Sequence, residues 1–394
     1  MPLVIFLLSF LTALGLWEMG RHVLHRRRIP IRIHVNGSRG KSSVARLVAA
    51  GLRAGGLRVV AKTTGSSAAV IHCDGSETPV LRRGGPNIKE QLRVIRRATR
   101  ENCEALVLEC MAVRPDLQKV CEHNIVKATH GIITNVRPDH LEVMGPTMDD
   151  VAASLAGTVP RKAHFFTAED RYDQYLSSRA RRARSSYTHA DASGVTSEQM
   201  QGFGYVEFPE NVSLALEVCS SVGIDRDTAL TGMYKVTPDV GALTRWRIEA
   251  PTGSTGSPRI MTFINGFAAN DPDSYLRVWK HLGLDEDSGE VFILMNIRSD
   301  RQRRSKDLAP LLGTQMHASR YILIGSETAL FADILGRGGM ARKAISDLSG
   351  LPAEELWNRI CSLAEGDCTV FGMGNIAGIG NQLLDLLRER RLAS

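Results

Sequence analysis

Paired cysteine is the first thing this 394-residue chain lacks. Its seven cysteines, Cys73, Cys103, Cys110, Cys121, Cys219, Cys361 and Cys368, are odd in number and form no close pair. Such a set argues against a disulfide framework and fits reduced thiols in a cytoplasmic body. No C-x-x-C occurs, so a structural zinc site is not expected. Aromatic residues are 6% of the chain. There is no aromatic-rich RNA-binding motif and no zinc finger, and nucleic acid is not an expected partner. Nothing in the composition points to a long disordered tail.

Charge is missing from one stretch. Residues 3–17 run Leu-Val-Ile-Phe-Leu-Leu-Ser-Phe-Leu-Thr-Ala-Leu-Gly-Leu-Trp, and no charged residue precedes Glu18. A secretory signal would need a positive start and a small-residue cleavage site. Here the basic cluster Arg26-Arg27-Arg28 follows the apolar run instead. Residues 1–20 are therefore expected to form a membrane-anchor helix, with the catalytic body on the cytoplasmic side of the cell membrane. The alternative is an N-terminal helix packed on a partner.

What is present is an ordinary globular body, 43% hydrophobic and 23% charged. Its length suggests two domains, placed at residues 30–250 and 258–394. The net charge is +7, and much of the excess lies in Arg26–Arg28, Arg179–Arg184 and Arg298–Lys306. Basic runs suit phosphates, acidic lipids or an acidic product, although solvated surface arginines explain each run as well.

The strongest chemical signal begins at residue 31. Ile31 to Val35 alternates as a strand does, Asn36-Gly37-Ser38-Arg39-Gly40-Lys41-Ser42-Ser43 follows, and Val44, Leu47, Val48 and Leu52 recur at helical spacing. Strand, glycine loop and helix are the context a phosphate-binding loop requires. Gly37 and Gly40 let backbone N–H groups turn toward phosphate oxygens. Lys41 reaches the β- and γ-phosphates of ATP, and Ser42 offers a hydroxyl to Mg²⁺. Val35 stands where the longer form of the motif has its first glycine, leaving the short form G-x-x-G-K-[ST].

That short form resembles the loop of the Mur ligase superfamily, which includes folylpolyglutamate synthetase and joins amino acids to carboxylates through acyl phosphates. Two further stretches resemble the same family. Ala105 to Glu109 is an apolar run ending in a carboxylate, where the family keeps a Mg²⁺-binding Glu. Thr134-Asn135 through Asp139-His140-Leu141 follows the T-N-x-x-x-D-H-L signature, whose histidine helps bind a second Mg²⁺. The resemblance implies an α/β fold: a Mur-ligase-like P-loop ATPase domain and a smaller Rossmann-like C-terminal domain, preceded by the apolar helix. It makes Lys41, Asn135 and His140 the catalytic candidates. Gly37, Ser38, Arg39, Gly40, Lys41, Ser42 and Ser43 are the candidates for the nucleotide. Ser42, Thr64, Glu109 and His140 are those for the metal. In the C-terminal part, Asn270, within Phe267-Ala268-Ala269-Asn270-Asp271-Pro272, and the pair Asp300-Arg301 are further nucleotide contacts. Relatives keep a carbamate-forming lysine about fifteen residues past the histidine. Leu155 stands near that place here, with Lys162 close by.

The loop starts soon after the apolar helix, leaving no room for the sugar-nucleotide domain of most Mur ligases. This arrangement resembles the poly-γ-glutamate synthase ligases of capsule biosynthesis, the CapB/PgsB type. The implied partners are glutamate, the poly-γ-glutamate chain and integral membrane subunits of a synthase and export complex, with the chain an oligomer. A soluble folylpolyglutamate- or peptidoglycan-type ligase, or a P-loop ATPase of a transport complex, are the alternatives.

Overall fold

Parallel strands covered on both faces are buried along their length, and in the first sheet every residue of Val59–Thr63 and Ala105–Glu109 is buried. The computed structural model describes residues 2–65, 68–82, 84–238, 243–250, 259–267, 272–285, 289–299 and 302–392. The chain divides into two compact units, Met1–Asp239 and Val240–Ser394.

The first unit holds β1 (Ile31–Asn36), β2 (Val59–Thr63), β3 (Ala69–Ile71), β4 (Glu77–Pro79), β5 (Ala105–Glu109), β6 (His130–Ile133), β7 (His164–Thr167) and β8 (Ser186–His189). They form one sheet in the order β4-β3-β2-β5-β1-β6-β7-β8. β2, β5, β1, β6, β7 and β8 are parallel, and at one edge β3 pairs antiparallel with both β2 and β4. β1 lies between β5 and β6, with Val35 opposite both Glu109 and Ile132. The chain leaves β1 toward β2 on one side and reaches β6 on the other. Open α/β sheets bind ligands at the carboxyl ends of strands where the order switches in this way.

Helix α2 (Lys41–Ala54) follows the glycine loop. Its apolar positions Val44, Leu47, Val48 and Leu52 are fully buried, as their spacing predicts. The helices Pro209–Ser221 and Arg226–Met233 close over it in the same core cluster. The site therefore rests on a packed support.

Helix α1 (Pro2–Arg27) is longer than the twenty residues read as an anchor. Its last turns are tied to the body: His22 Nε2 contacts the Ile125 carbonyl at 2.9 Å, and Arg26 Nη1 donates to the Asn124 carbonyl at 3.1 Å. The Thr99 hydroxyl donates to the His25 carbonyl at 3.2 Å. These contacts carry the helix past residue 20. Its apolar window has mean hydropathy 1.9 and no residue buried, so the helix is long and apolar enough to cross a membrane. At about 1.5 Å per residue it spans about 39 Å, against roughly 30 Å of hydrocarbon.

The second unit holds β9 (Thr244–Glu249), β10 (Ile260–Asn265), β11 (Glu290–Ile297), β12 (Arg320–Gly325), β13 (Ile345–Asp347) and β14 (Cys368–Gly374), in the order β13-β12-β11-β14-β10-β9. All pairs are parallel except β9 with β10. β9 was expected at the end of the first domain, yet it pairs with β10 and is an edge strand of this sheet. Its half-exposed alternation is shared by edge strands of any sheet, so the sequence could not assign it.

Candidate functional site

The loop after β1 is shaped by two glycines in conformations that other residues rarely adopt. Gly37 has φ +130°, and a Cβ there would lie 2.0 Å from Thr134 Oγ1. Gly40 has φ +77°, and a Cβ there would lie 2.6 Å from Asn211 Oδ1. Both walls are packed directly on the loop, so glycine is required for space as well as for dihedral angle.

The strand end after β6 grips the loop. Ser38 N donates to the Asn135 carbonyl at 3.0 Å. Arg39 N donates to Asn135 Oδ1 at 3.0 Å, while Asn135 Nδ2 donates to the Arg39 carbonyl at 3.1 Å. The Thr134 hydroxyl donates to the same carbonyl at 2.6 Å, and Ser38 Oγ donates to the Arg137 carbonyl at 2.9 Å. Arg39 is also paired with Asp139 at 3.3 Å. Asn135, read from the sequence as catalytic, thus spends both ends of its amide on loop backbone. Lys41 Nζ donates to the Gly37 and Ser38 carbonyls at 2.6 and 3.0 Å. The loop residues Gly37 to Ser43 are therefore brought together with Thr134, Asn135 and Asp139.

Beside the loop lies Glu109, 2% exposed at the end of β5. Ser42 Oγ donates to its Oε2 at 2.8 Å, and the backbone N–H of Thr64 donates to the same atom at 2.6 Å. Among the described residues Oε1 accepts no hydrogen bond. Thr63 Oγ1, in the residue before Thr64, is buried without a partner. A buried carboxylate flanked by a serine hydroxyl, with hard oxygen donors only, fits Mg²⁺. Thr64 meets Glu109 through its backbone, not through the hydroxyl on which the metal expectation rested.

His140 is placed differently. It is half exposed, with φ +43°, and its ring nitrogens lie 3.2 Å from Glu142 Oε1 and 3.9 Å from Asp139 Oδ1. Leu155 is fully buried in the core against Ile133 and Val159, so no lysine replaces it from that position. Lys162 precedes β7, at the opposite end of the sheet from the loop. Asn270, Asp300 and Arg301 lie outside the described residues.

Several polar residues were not singled out from the sequence. Glu207 is buried, and its Oε1 accepts from Asn211 Nδ2 at 2.8 Å and from Phe208 N at 2.9 Å, which ties it to the helix over the loop. Burial raises its pKa, against the pull of these hydrogen bonds. Lys62 is fully buried, 3.1 Å from Glu90 Oε2, and Glu90 also pairs with Arg82 at 2.8 Å. Burial lowers the Lys62 pKa, and Glu90 partly offsets this. Gln91 Nε2 donates to the Glu109 carbonyl at 2.9 Å. A lysine two residues before Thr64 in an otherwise apolar strand was the available signal.

The comparisons with known proteins agree with this geometry. Residues 35–244 match the Mur ligase middle domain, and residues 253–390 match the poly-gamma-glutamate synthase CapB C-terminal domain. The capsule biosynthesis protein CapB of Bacillus anthracis is 37% identical over 389 residues, covering 97% of this chain and 82% of that protein. The PGA synthase CapB of Bacillus subtilis (strain 168) is 34% identical, covering 100% of this chain and 99% of that protein. The chain belongs to the CapB family of poly-γ-glutamate synthases. Membership of this family, with its Mur ligase middle domain, makes it an ATP-dependent ligase. Among solved structures, E. coli FolC in complex with ADP is similar with a TM-score of 0.69 at 14% identity, covering 98% of each chain. MurF from Acinetobacter baumannii is similar with a TM-score of 0.65 at 14% identity, covering 95% of this chain and 80% of that one. These two likenesses bear on the fold, and they agree with the Mur-ligase-like architecture expected of the CapB family member.

Proposed function

We propose that this protein adds glutamate to the end of a growing poly-γ-glutamate chain, activating the terminal carboxylate with ATP. The observation that carries the reading is the junction of the glycine loop with buried Glu109, in a chain homologous to CapB along its whole length. The loop N–H groups from Gly37 to Ser43 and the start of α2 hold the phosphates. The Lys41 ammonium moves from its loop carbonyls to the transferring phosphoryl group, where charge spreads as the bond to ADP breaks. Ser42 and Glu109 would hold Mg²⁺, which when bound would neutralise phosphate charge. The acceptor carboxylate attacks the γ-phosphorus, giving an acyl phosphate and ADP. The amine of glutamate then attacks the acyl carbon, and phosphate leaves as the amide forms. His140, 3.9 Å from Asp139, would help hold a second Mg²⁺, as its match to the T-N-x-x-x-D-H-L signature implies. Asn270, Asp300 and Arg301 belong to the nucleotide side.

Helix α1 anchors the protein in the membrane with the body on the cytoplasmic side, since the basic cluster follows the apolar run. A cavity of about 350 Å³ lined by Lys119, His123, Arg161, Arg179 and Arg182 lies at the strand edge from which α1 also enters. Positive charge on that edge suits an anionic membrane surface. Integral membrane subunits would take the polyanionic product onward.

The test is ADP release by the full-length chain in detergent or membranes, with ATP, an oligo-γ-glutamate acceptor and labelled glutamate. Release that depends on both glutamate and acceptor, with label in an amide-linked product, is expected. ADP release indifferent to glutamate, with no amide product, would overturn the assignment.

A further inference from the structure

Behind the phosphate loop lies a cluster of side chains that the ligase chemistry does not use. His34 on β1, Cys110 directly after β5 and Cys121 are all buried, and their donor atoms lie within 4.8 Å of one another. We propose that His34 Nε2, Cys110 Sγ and Cys121 Sγ form a binding site for a zinc ion.

Four observations carry this. First, the imidazole is already oriented as in carboxylate–histidine–zinc arrangements. Glu122 Oε2 lies 2.9 Å from His34 Nδ1, while Glu122 Oε1 accepts from Ala128 N at 2.9 Å. With Nδ1–H donated to the carboxylate, Nε2 carries the lone pair on the side of the thiols. Second, Cys121 Sγ lies 3.7 Å from that Nε2. Zn–S and Zn–N bonds of about 2.3 and 2.05 Å at a tetrahedral angle give an edge of about 3.6 Å, so little movement is needed. Third, Cys121 and Glu122 open a turn of π-helix, Cys121–Val126. Such turns are uncommon and often mark functional positions. This one presents two consecutive side chains to opposite nitrogens of one imidazole. Fourth, the charge balances: two thiolates and a neutral imidazole bring Zn²⁺ to zero net charge, which a dry interior tolerates. A monovalent soft ion would leave a negative charge buried beside Glu122. The Ala112 carbonyl, 4.0 Å from Cys110 Sγ, is a candidate for a fourth ligand.

Binding releases the two thiol protons to solvent and breaks no covalent bond within the chain. The ion would join β1 two residues before Asn36-Gly37 to β5 one residue after Glu109. It would therefore brace both halves of the nucleotide site from behind without touching substrate. The absence of C-x-x-C made a zinc site unexpected, because these ligands come from three separate elements. The zinc site stands whichever carboxylate the ligase extends.

The experiment uses the full-length chain in detergent, incubated with zinc and passed through a metal-free desalting column. Elemental analysis is expected to give about one zinc per folded chain, and cobalt loading to give a thiolate-to-metal charge-transfer absorption. In the double substitution Cys110→Ser and Cys121→Ser, both should be lost. Glu122→Gln should still bind, about 10- to 100-fold more weakly, because it only orients His34. No retained zinc in the folded wild-type chain would overturn the proposal. So would retained zinc without the charge-transfer band on cobalt loading, or zinc content unchanged in the double variant. If the double variant does not fold, the wild-type cobalt spectrum and the Glu122→Gln titration decide alone.

Discussion

Replacing Glu109 by Gln separates the magnesium reading from a structural one. The side chain is 2% exposed, and its Oε2 accepts from Ser42 Oγ at 2.8 Å and Thr64 N at 2.6 Å. Glutamine keeps the shape, and its oxygen can still accept both bonds. Each bond loses its charge-assisted part, about 1 kcal/mol, but a buried charge is relieved at the same time. The net change in folding stability is therefore expected within about 1 kcal/mol, or a few degrees in Tm. Catalysis should respond much more. The amide –NH2 would replace an anionic oxygen facing Mg²⁺. Altering even the partners of metal ligands weakens ion binding by about 10- to 100-fold, so losing a charged ligand should do at least that. Losing one preorganised contact to transition-state charge costs about 3 kcal/mol, a fall in kcat of about 10²-fold. The assay is glutamate-dependent ADP release across a magnesium titration, with thermal melting in parallel. A rightward shift in magnesium dependence, a lower kcat and a nearly unchanged melt are expected. Wild-type magnesium dependence with wild-type kcat would refute the placement of the ion at Glu109.

Three other perturbations test neighbouring parts of the molecule. Asn135→Ala removes both amide contacts to Arg39, so KM for ATP should rise about tenfold or more, at about 1.4 kcal/mol per decade. A fall in kcat alone, at unchanged KM, would instead mark Asn135 as touching the reacting atoms. Gly37→Ala forces a Cβ to 2.0 Å from Thr134 Oγ1 at φ +130°, a strain of about 1–3 kcal/mol; ATP binding should be lost, and retained wild-type KM for ATP would contradict the tight-loop description. His130 is buried and stacked on His164, with ring centroids 5.1 Å apart. Burial first, then His164 and Arg32, push its pKa down to about 4 from 6.5. The folded state refuses a proton that the unfolded state accepts, so stability falls as pH drops from about 6.5 toward about 4, by about 3 kcal/mol in all. Denaturant unfolding of His130→Phe should lose that part of the acid slope, and an identical slope would show that His130 does not supply it.

The parts of this protein that could be read in the sequence are those whose signal is local. Gly37, Gly40, Lys41 and Ser42 sit between an alternating strand and an amphipathic helix, so their spacing stated their geometry in advance. The position of Glu109 was legible because a buried parallel strand delivers its last residue to the carboxyl edge of the sheet, where open α/β sheets bind ligands. Residues that meet only in three dimensions were not. Asn211 walls Gly40 from a helix 171 positions away in sequence (211 − 40). His34, Cys110 and Cys121 come from three elements with no motif between them. The end of α1 was misjudged because hydropathy marks where apolar residues stop, whereas His22 and Arg26 continue the helix through contacts with the Cys121–Val126 turn.

The short form of the loop has a structural counterpart. A longer phosphate loop with an earlier glycine can wrap its anion with its own backbone. Here Val35 is fully buried in β1 between β5 and β6, so the strand continues one residue further and the loop is short. A short loop needs bracing from outside. Thr134 and Asn135 supply it on one side through the Arg39 backbone, and Asn211 supplies it on the other by packing against Gly40. Asn211 is in turn held by buried Glu207, whose Oε1 accepts from Asn211 Nδ2 at 2.8 Å. The loop's shape is therefore stored in residues outside the loop itself. This is why the T-N pair at 134–135 accompanies the glycines: its contacts go to loop backbone, and it positions the loop.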